Sequence, residues 1–96
     1  MTIAKTILEQ LGGNKFVAMT GARKLTAREN ALSFQIGRNA SKANYIKITL
    51  TPSDTYTISF NQLHKSEIKE LKKVEGVYCD QLQGLFTETT GLYTSL

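Results

Sequence analysis

The chain has 96 residues, 41% of them apolar and 21% charged, with a formal net charge of +4. That is enough for one hydrophobic core and too little for two, so a single domain over residues 1–96 is expected. No apolar run approaches the roughly 18 residues that span a bilayer, and the first residues lack a basic stretch followed by an apolar signal segment. With Cys79 the single cysteine, no internal disulfide can form, and a soluble protein of a reducing, cytoplasmic compartment is the expectation. Charge is unevenly placed. Residues 14–48 carry seven cations against the one acid Glu29, whereas residues 49–96 carry four cations against six acids. A basic half of this kind suits an anionic partner, nucleic acid first among them.

The elements follow in chain order. Ile3, Ile7, Leu8 and Leu11 share one helical face, with Thr2 able to cap the start and Gly12 or Gly13 able to close the end in the left-handed conformation. The apolar run Phe16-Val17-Ala18-Met19 predicts a short strand, Met19 to Lys24 a hairpin turn, and Ala22 to Ala27 a second strand. Arg28-Glu29-Asn30 supplies a turn into Leu32, Phe34 and Ile36, which alternate with Ser33 and Gln35. Ile46, Ile48 and Leu50 alternate with Tyr45, Lys47 and Thr49. Tyr56, Ile58 and Phe60 do the same against Thr57 and Ser59, and Thr51-Pro52-Ser53-Asp54 joins the two as a hairpin.

Residues 64–75 read two ways. Ile68, Leu71 and Val74 recur every third position, as on a helix turn, yet the interspersed lysines also suit an exposed edge strand. From Gly76 onward Tyr78, Leu82, Leu85, Phe86 and Thr89 fall at helical spacing, and Gly91 with Leu92 resembles a helix stop, which predicts a C-terminal helix of about 13 residues. The expected fold is therefore α+β: an antiparallel meander of four to five strands, with an N-terminal and a C-terminal helix packed on one face. The other face would carry Ser33, Gln35, Tyr45, Lys47, Thr49, Thr57 and Ser59, open to solvent or a ligand.

Chemistry-bearing residues are few. His64 and Cys79 could in principle form a base and nucleophile, but a lone His in a polar segment and a Cys beside an apolar stripe are more often structural. One His and one Cys cannot build a zinc site, and the acids are not paired, so no catalytic residue, metal or cofactor is expected. Gly12-Gly13-Asn14-Lys15 follows a helix and precedes the expected strand, the reverse of a phosphate loop. The segment Gly37 to Asn44 is the better candidate. Arg38 and Lys42 can draw phosphates from a distance, Asn39, Ser41 and Asn44 can exchange hydrogen bonds at close range, and Tyr45 and Lys47 continue the surface onto the sheet. Lys15, Arg23 and Lys24 would extend it if the early hairpin lies alongside. The competing reading is a polar loop that simply joins two strands and stays solvated. Only Tyr45 offers an exposed ring for base stacking, and no helix-turn-helix pattern is present.

The stretches LGGNKFVAMTGA at 11–22, RNASKANYIKITL at 38–50 and GLYTSL at 91–96 resemble small proteins of bacteriophages and other mobile elements, over nearly the whole chain. The resemblance implies a bacterial host cell and a phage or mobile-element origin, a setting in which small proteins often bind nucleic acid or a host protein, but brings no activity, mechanism or site residues; a non-enzymatic accessory role is the reading preferred here. Binding of nucleic acid through the basic loop and strand surface is thus the leading expectation. The alternative is an inhibitor that docks the same surface on an acidic host defence or regulatory protein, with Tyr45 and Tyr93 as anchors. An exposed sheet edge would also permit a homo-oligomer.

Overall fold

A computed structural model describes residues 3–37 and 43–91. Their order is α1 (Ile3–Leu11), α2 (Asn14–Thr20), β1 (Arg23–Ala27), β2 (Ala31–Gln35), β3 (Tyr45–Leu50), β4 (Tyr56–His64), β5 (Glu67–Val77), a 3₁₀ turn over Cys79–Gln81, and α3 (Leu82–Thr90). The five strands form one antiparallel sheet in sequence order, an open α+β meander with the helices on one face. Short connections enforce this arrangement, since a parallel neighbour would need a crossover of a dozen residues or more.

Strand register explains how the two faces separate. Leu32, Ile48, Ile58 and Val74 stand in one cross-strand row, and Phe34, Ile46 and Phe60 in the next. These rows face the helices and pack against Ile7, Leu11, Phe16, Leu82 and Phe86 in the core. At its centre Phe16 meets Phe34 and Phe86 edge-on, with ring centroids 5.3 Å apart in both pairs. That geometry sets the positive ring edge against the negative face. Tyr56 is also buried on this side, its hydroxyl donating to Gln10 Oε1 of α1 at 2.7 Å. Among the described residues no buried side-chain polar atom lacks a partner.

Two sequence expectations give way here. Residues 16–19 are helical rather than extended, because Phe16 and Thr20, one turn apart, are the positions that bury; a strand would have buried Phe16 and Ala18, and Ala18 is exposed. Burial of one aromatic ring outweighs the β preference of a Phe-Val pair. The expected hairpin turn at Met19 to Lys24 is correspondingly the end of α2. Gly21 adopts φ 69°, ψ 24°, and its N–H reaches Val17 O at 2.9 Å, a left-handed cap that favours glycine. The Gly12-Gly13 pair closes α1 as expected, Gly13 N–H donating to Leu8 O at 2.9 Å, and then leads straight into α2.

The ambiguous segment 64–75 is the end of β4, a two-residue turn at Lys65-Ser66 and most of the edge strand β5, with no helix in it. β5 pairs with β4 from His64↔Glu67 to Tyr56↔Val77, interrupted by irregularities near Phe60/Asn61 and near Tyr56/Ile58. Each irregularity shifts the phase of the strand, so apolar residues recur every third position although the chain is extended. The C-terminal helix starts later than its periodicity implies. Tyr78 is 59% exposed and lies before the 3₁₀ turn, while Leu82, Phe86 and Thr90 form the buried stripe. Gly91 ends α3 at φ 76°, with its N–H on Thr87 O at 2.7 Å. No described helix is long and apolar enough to cross a membrane.

Candidate functional site

The open face of the sheet is built by the residues that alternate with the core rows. One row runs Ser33, Lys47, Ser59, Lys73 from β2 to β5; the flanking rows run Ala31, Thr49, Thr57 and Gln35, Tyr45, Asn61, Glu70. All seven polar residues expected on this face share it by register, but Ser33 is buried and not open to solvent. Arg23 joins it at the far edge, paired with Gln35.

Lys47 and Lys73 lie two strands apart in one row, so their Cα atoms are separated by roughly 10 Å. Between them Ser59 Oγ donates to Glu70 Oε1 at 3.0 Å and lies 3.1 Å from Asn61 Oδ1. Lys47, Thr49, Thr57, Ser59, Glu70 and Lys73 together line a shallow depression of about 400 Å³. Lys47 is exposed on this face. Lys73 Nζ lies 3.8 Å from Glu75 Oε1, the single ion pair among the described residues, between side chains 50% and 73% exposed. At that distance and exposure the pair leaves the ammonium available to an incoming anion. Two cations and the two hydroxyls of Thr49 and Thr57 on one concave surface can grip an oxyanion by charge and by short hydrogen bonds.

The other expected residues are placed as follows. Tyr45 is half-buried beside Lys47's row. Lys24 sits in the β1 irregularity between Arg23 and Thr26 with φ 54°, a left-handed backbone for a non-glycine residue, at the outer edge of the sheet. Lys15 opens α2 in the layer that covers the opposite face and does not join the group. Asn44 serves the fold. Its Nδ2 donates to Leu63 O at 3.0 Å and its Oδ1 accepts from Leu63 N–H at 2.6 Å, so it mimics a strand residue and anchors the end of the β2–β3 connection to β4. Arg38 and Lys42 lie outside the described residues.

Sequence reading missed Lys73 and Glu70. Strict alternation along β5 would have signalled them, but the irregularities break that alternation. It also could not tell that His64 and Cys79 sit at opposite ends of β5. Ten residue steps separate Glu67 from Val77, on the order of 30 Å, which removes the nucleophile–base pair. Cys79 is exposed, and no group of three or more metal-ligating side chains occurs among the described residues. A second depression, of about 440 Å³, lies between α3 and the end of β5 and is flanked by Glu75 and Glu88. Its carboxylates set it apart from the cationic face.

No family model matches the sequence, and no curated protein or solved structure matches it significantly.

Proposed function

We propose that the protein is a non-enzymatic accessory factor, of phage or mobile-element origin and acting in the bacterial cytoplasm, that binds nucleic acid on the open face of its sheet. The observation that carries this reading is the pairing of Lys47 and Lys73 across Ser59 on the one face the helices leave uncovered. Phosphate contacts of this kind give weak, sequence-tolerant binding, with Kd of about 10⁻⁴ to 10⁻⁶ M at physiological salt. Arg23 and Tyr45 flank the pair, and Arg38 and Lys42, which fall in sequence between β2 and β3, add to the positive charge of this part of the chain. The phosphate backbone supplies the affinity, and Tyr45 offers a ring against which one base can pack.

Amide chemical-shift mapping with mixed-sequence oligonucleotides at low salt tests the assignment. Shifts are expected at residues 45–49, 57–61 and 70–73, with α1 and α3 unmoved. Shifts confined to the helices, or none, would overturn it. A pull-down from nuclease-treated bacterial lysate tests the competing role as an inhibitor of an acidic host protein: a stable protein partner that Lys47→Glu and Lys73→Glu abolish would favour inhibition.

A further inference from the structure

The depression on the open face is not purely cationic. Glu70 stands in the row next to Lys47 and Lys73, with one carboxylate oxygen taken up by Ser59 at 3.0 Å. A carboxylate beside two lysines is a poor feature for a surface that touches phosphates alone, since it repels them. An ionised carboxylate only accepts hydrogen bonds, so the chemistry it can recognise is a donor. The sugar–phosphate unit that presents a phosphate and, a few ångströms away, a hydroxyl donor is a ribonucleotide; the deoxy unit has no such hydroxyl within the chain. A depression of about 400 Å³ is also within the range that takes up a small ligand unit, here one nucleotide.

We infer that this face selects RNA over DNA, with the phosphate held between Lys47 and Lys73 and the ribose 2′-hydroxyl donating to Glu70. The inference rests on the nucleic-acid reading above and deepens it. Ser59 positions the carboxylate: its hydroxyl occupies one oxygen and leaves the other for the ribose. Thr49 and Thr57, on the far side of Lys47, offer hydroxyls to the next phosphate oxygens. On DNA the same carboxylate finds no donor on the sugar beside the phosphate and remains a net repulsion.

The test is fluorescence anisotropy with labelled single-stranded 12-mers of one sequence as RNA, as DNA and as 2′-O-methyl RNA. RNA is expected to bind on the order of tenfold more tightly than DNA, the value of one hydrogen bond to a charged group. The 2′-O-methyl strand, which keeps the sugar pucker but lacks the donor, should bind like DNA. In Glu70→Ala the difference should disappear, with DNA affinity rising as the repulsion is removed. Glu70 is exposed, so the variant keeps its fold. Equal binding of RNA and DNA by the native chain overturns the inference while leaving nucleic-acid binding intact. So does 2′-O-methyl RNA binding as tightly as RNA, or an RNA preference that survives in Glu70→Ala. Binding of none of the three strands overturns both this inference and the reading beneath it.

Discussion

The turn between β4 and β5 is the place where a stabilising substitution can be worked out from the backbone. His64 pairs with Glu67, leaving a two-residue loop in which Lys65 has φ 48° and Ser66 φ 71°. Two positive φ values in a two-residue hairpin loop define the mirror-image turn that matches strand twist, and such turns favour Asn-Gly strongly. A side chain in the left-handed region costs an L-residue about 1–2 kcal/mol. Lys65→Asn lowers that cost because Asn tolerates the region, and Ser66→Gly removes it at the expense of about 0.5–1 kcal/mol of extra freedom in the unfolded chain. The net gain for the double substitution is about 1–2 kcal/mol. For a chain of this size that raises Tm by about 4–12 °C, measurable by calorimetry or circular dichroism. A gain is hard to obtain by accident, since most surface changes are neutral and most others destabilise. A fall in Tm on making both substitutions would refute the turn geometry, because Gly at an ordinary negative-φ turn position only weakens it.

Phe16→Ala should cost about 3–5 kcal/mol by chemical denaturation, the range for emptying an aromatic core site; a loss below about 1 kcal/mol would place Phe16 on an exposed element instead. Asn44→Ala should cost about 1–3 kcal/mol and speed exchange of the Leu63 amide proton, which loses its 2.6 Å partner. An unchanged Leu63 exchange rate would contradict the anchoring role. Burial raises the Tyr56 pKa above its ordinary 10.0, and the nearby Cys79 adds to the rise. A folded value above the unfolded one means the contribution is complete below pH 10 and is lost as pH climbs through the folded value. Stability should therefore fall more steeply above pH 10 in the native protein than in Tyr56→Phe, as followed by unfolding curves at stepped pH; parallel falls would contradict it.

Much of the sheet was legible because β3 and β4 bury one face and leave the other at least partly open, while β2 keeps the same apolar–polar alternation although both its faces are buried. Leu32-Phe34, Ile46-Ile48 and Ile58-Phe60 therefore alternate with polar residues, and the seven open-face residues followed from the same parity. Helix α1 and the Gly91 stop were legible for the parallel reason, a single buried stripe and a left-handed cap. Helix α2 was not, since seven residues give only Phe16 and Thr20 as a periodic signal, and their burial depends on Phe34 and Phe86, far away in sequence. β5 escaped because its irregularities overwrite the period of two, and Lys73 and Glu70 escaped with it. Asn44 looked like a ligand-binding loop residue because nothing local reveals that Leu63, nineteen positions on, takes up both its polar groups.

The role of Lys47 and Lys73 is tested most directly by the salt dependence of binding to single-stranded oligonucleotides. Each phosphate contact contributes about 0.7 to the slope of log affinity against log salt concentration. Lys47→Ala with Lys73→Ala should flatten that slope by about 1.4 while Tm stays near the native value, both side chains being solvated. A double variant that binds with the native slope would show that the phosphates lie elsewhere.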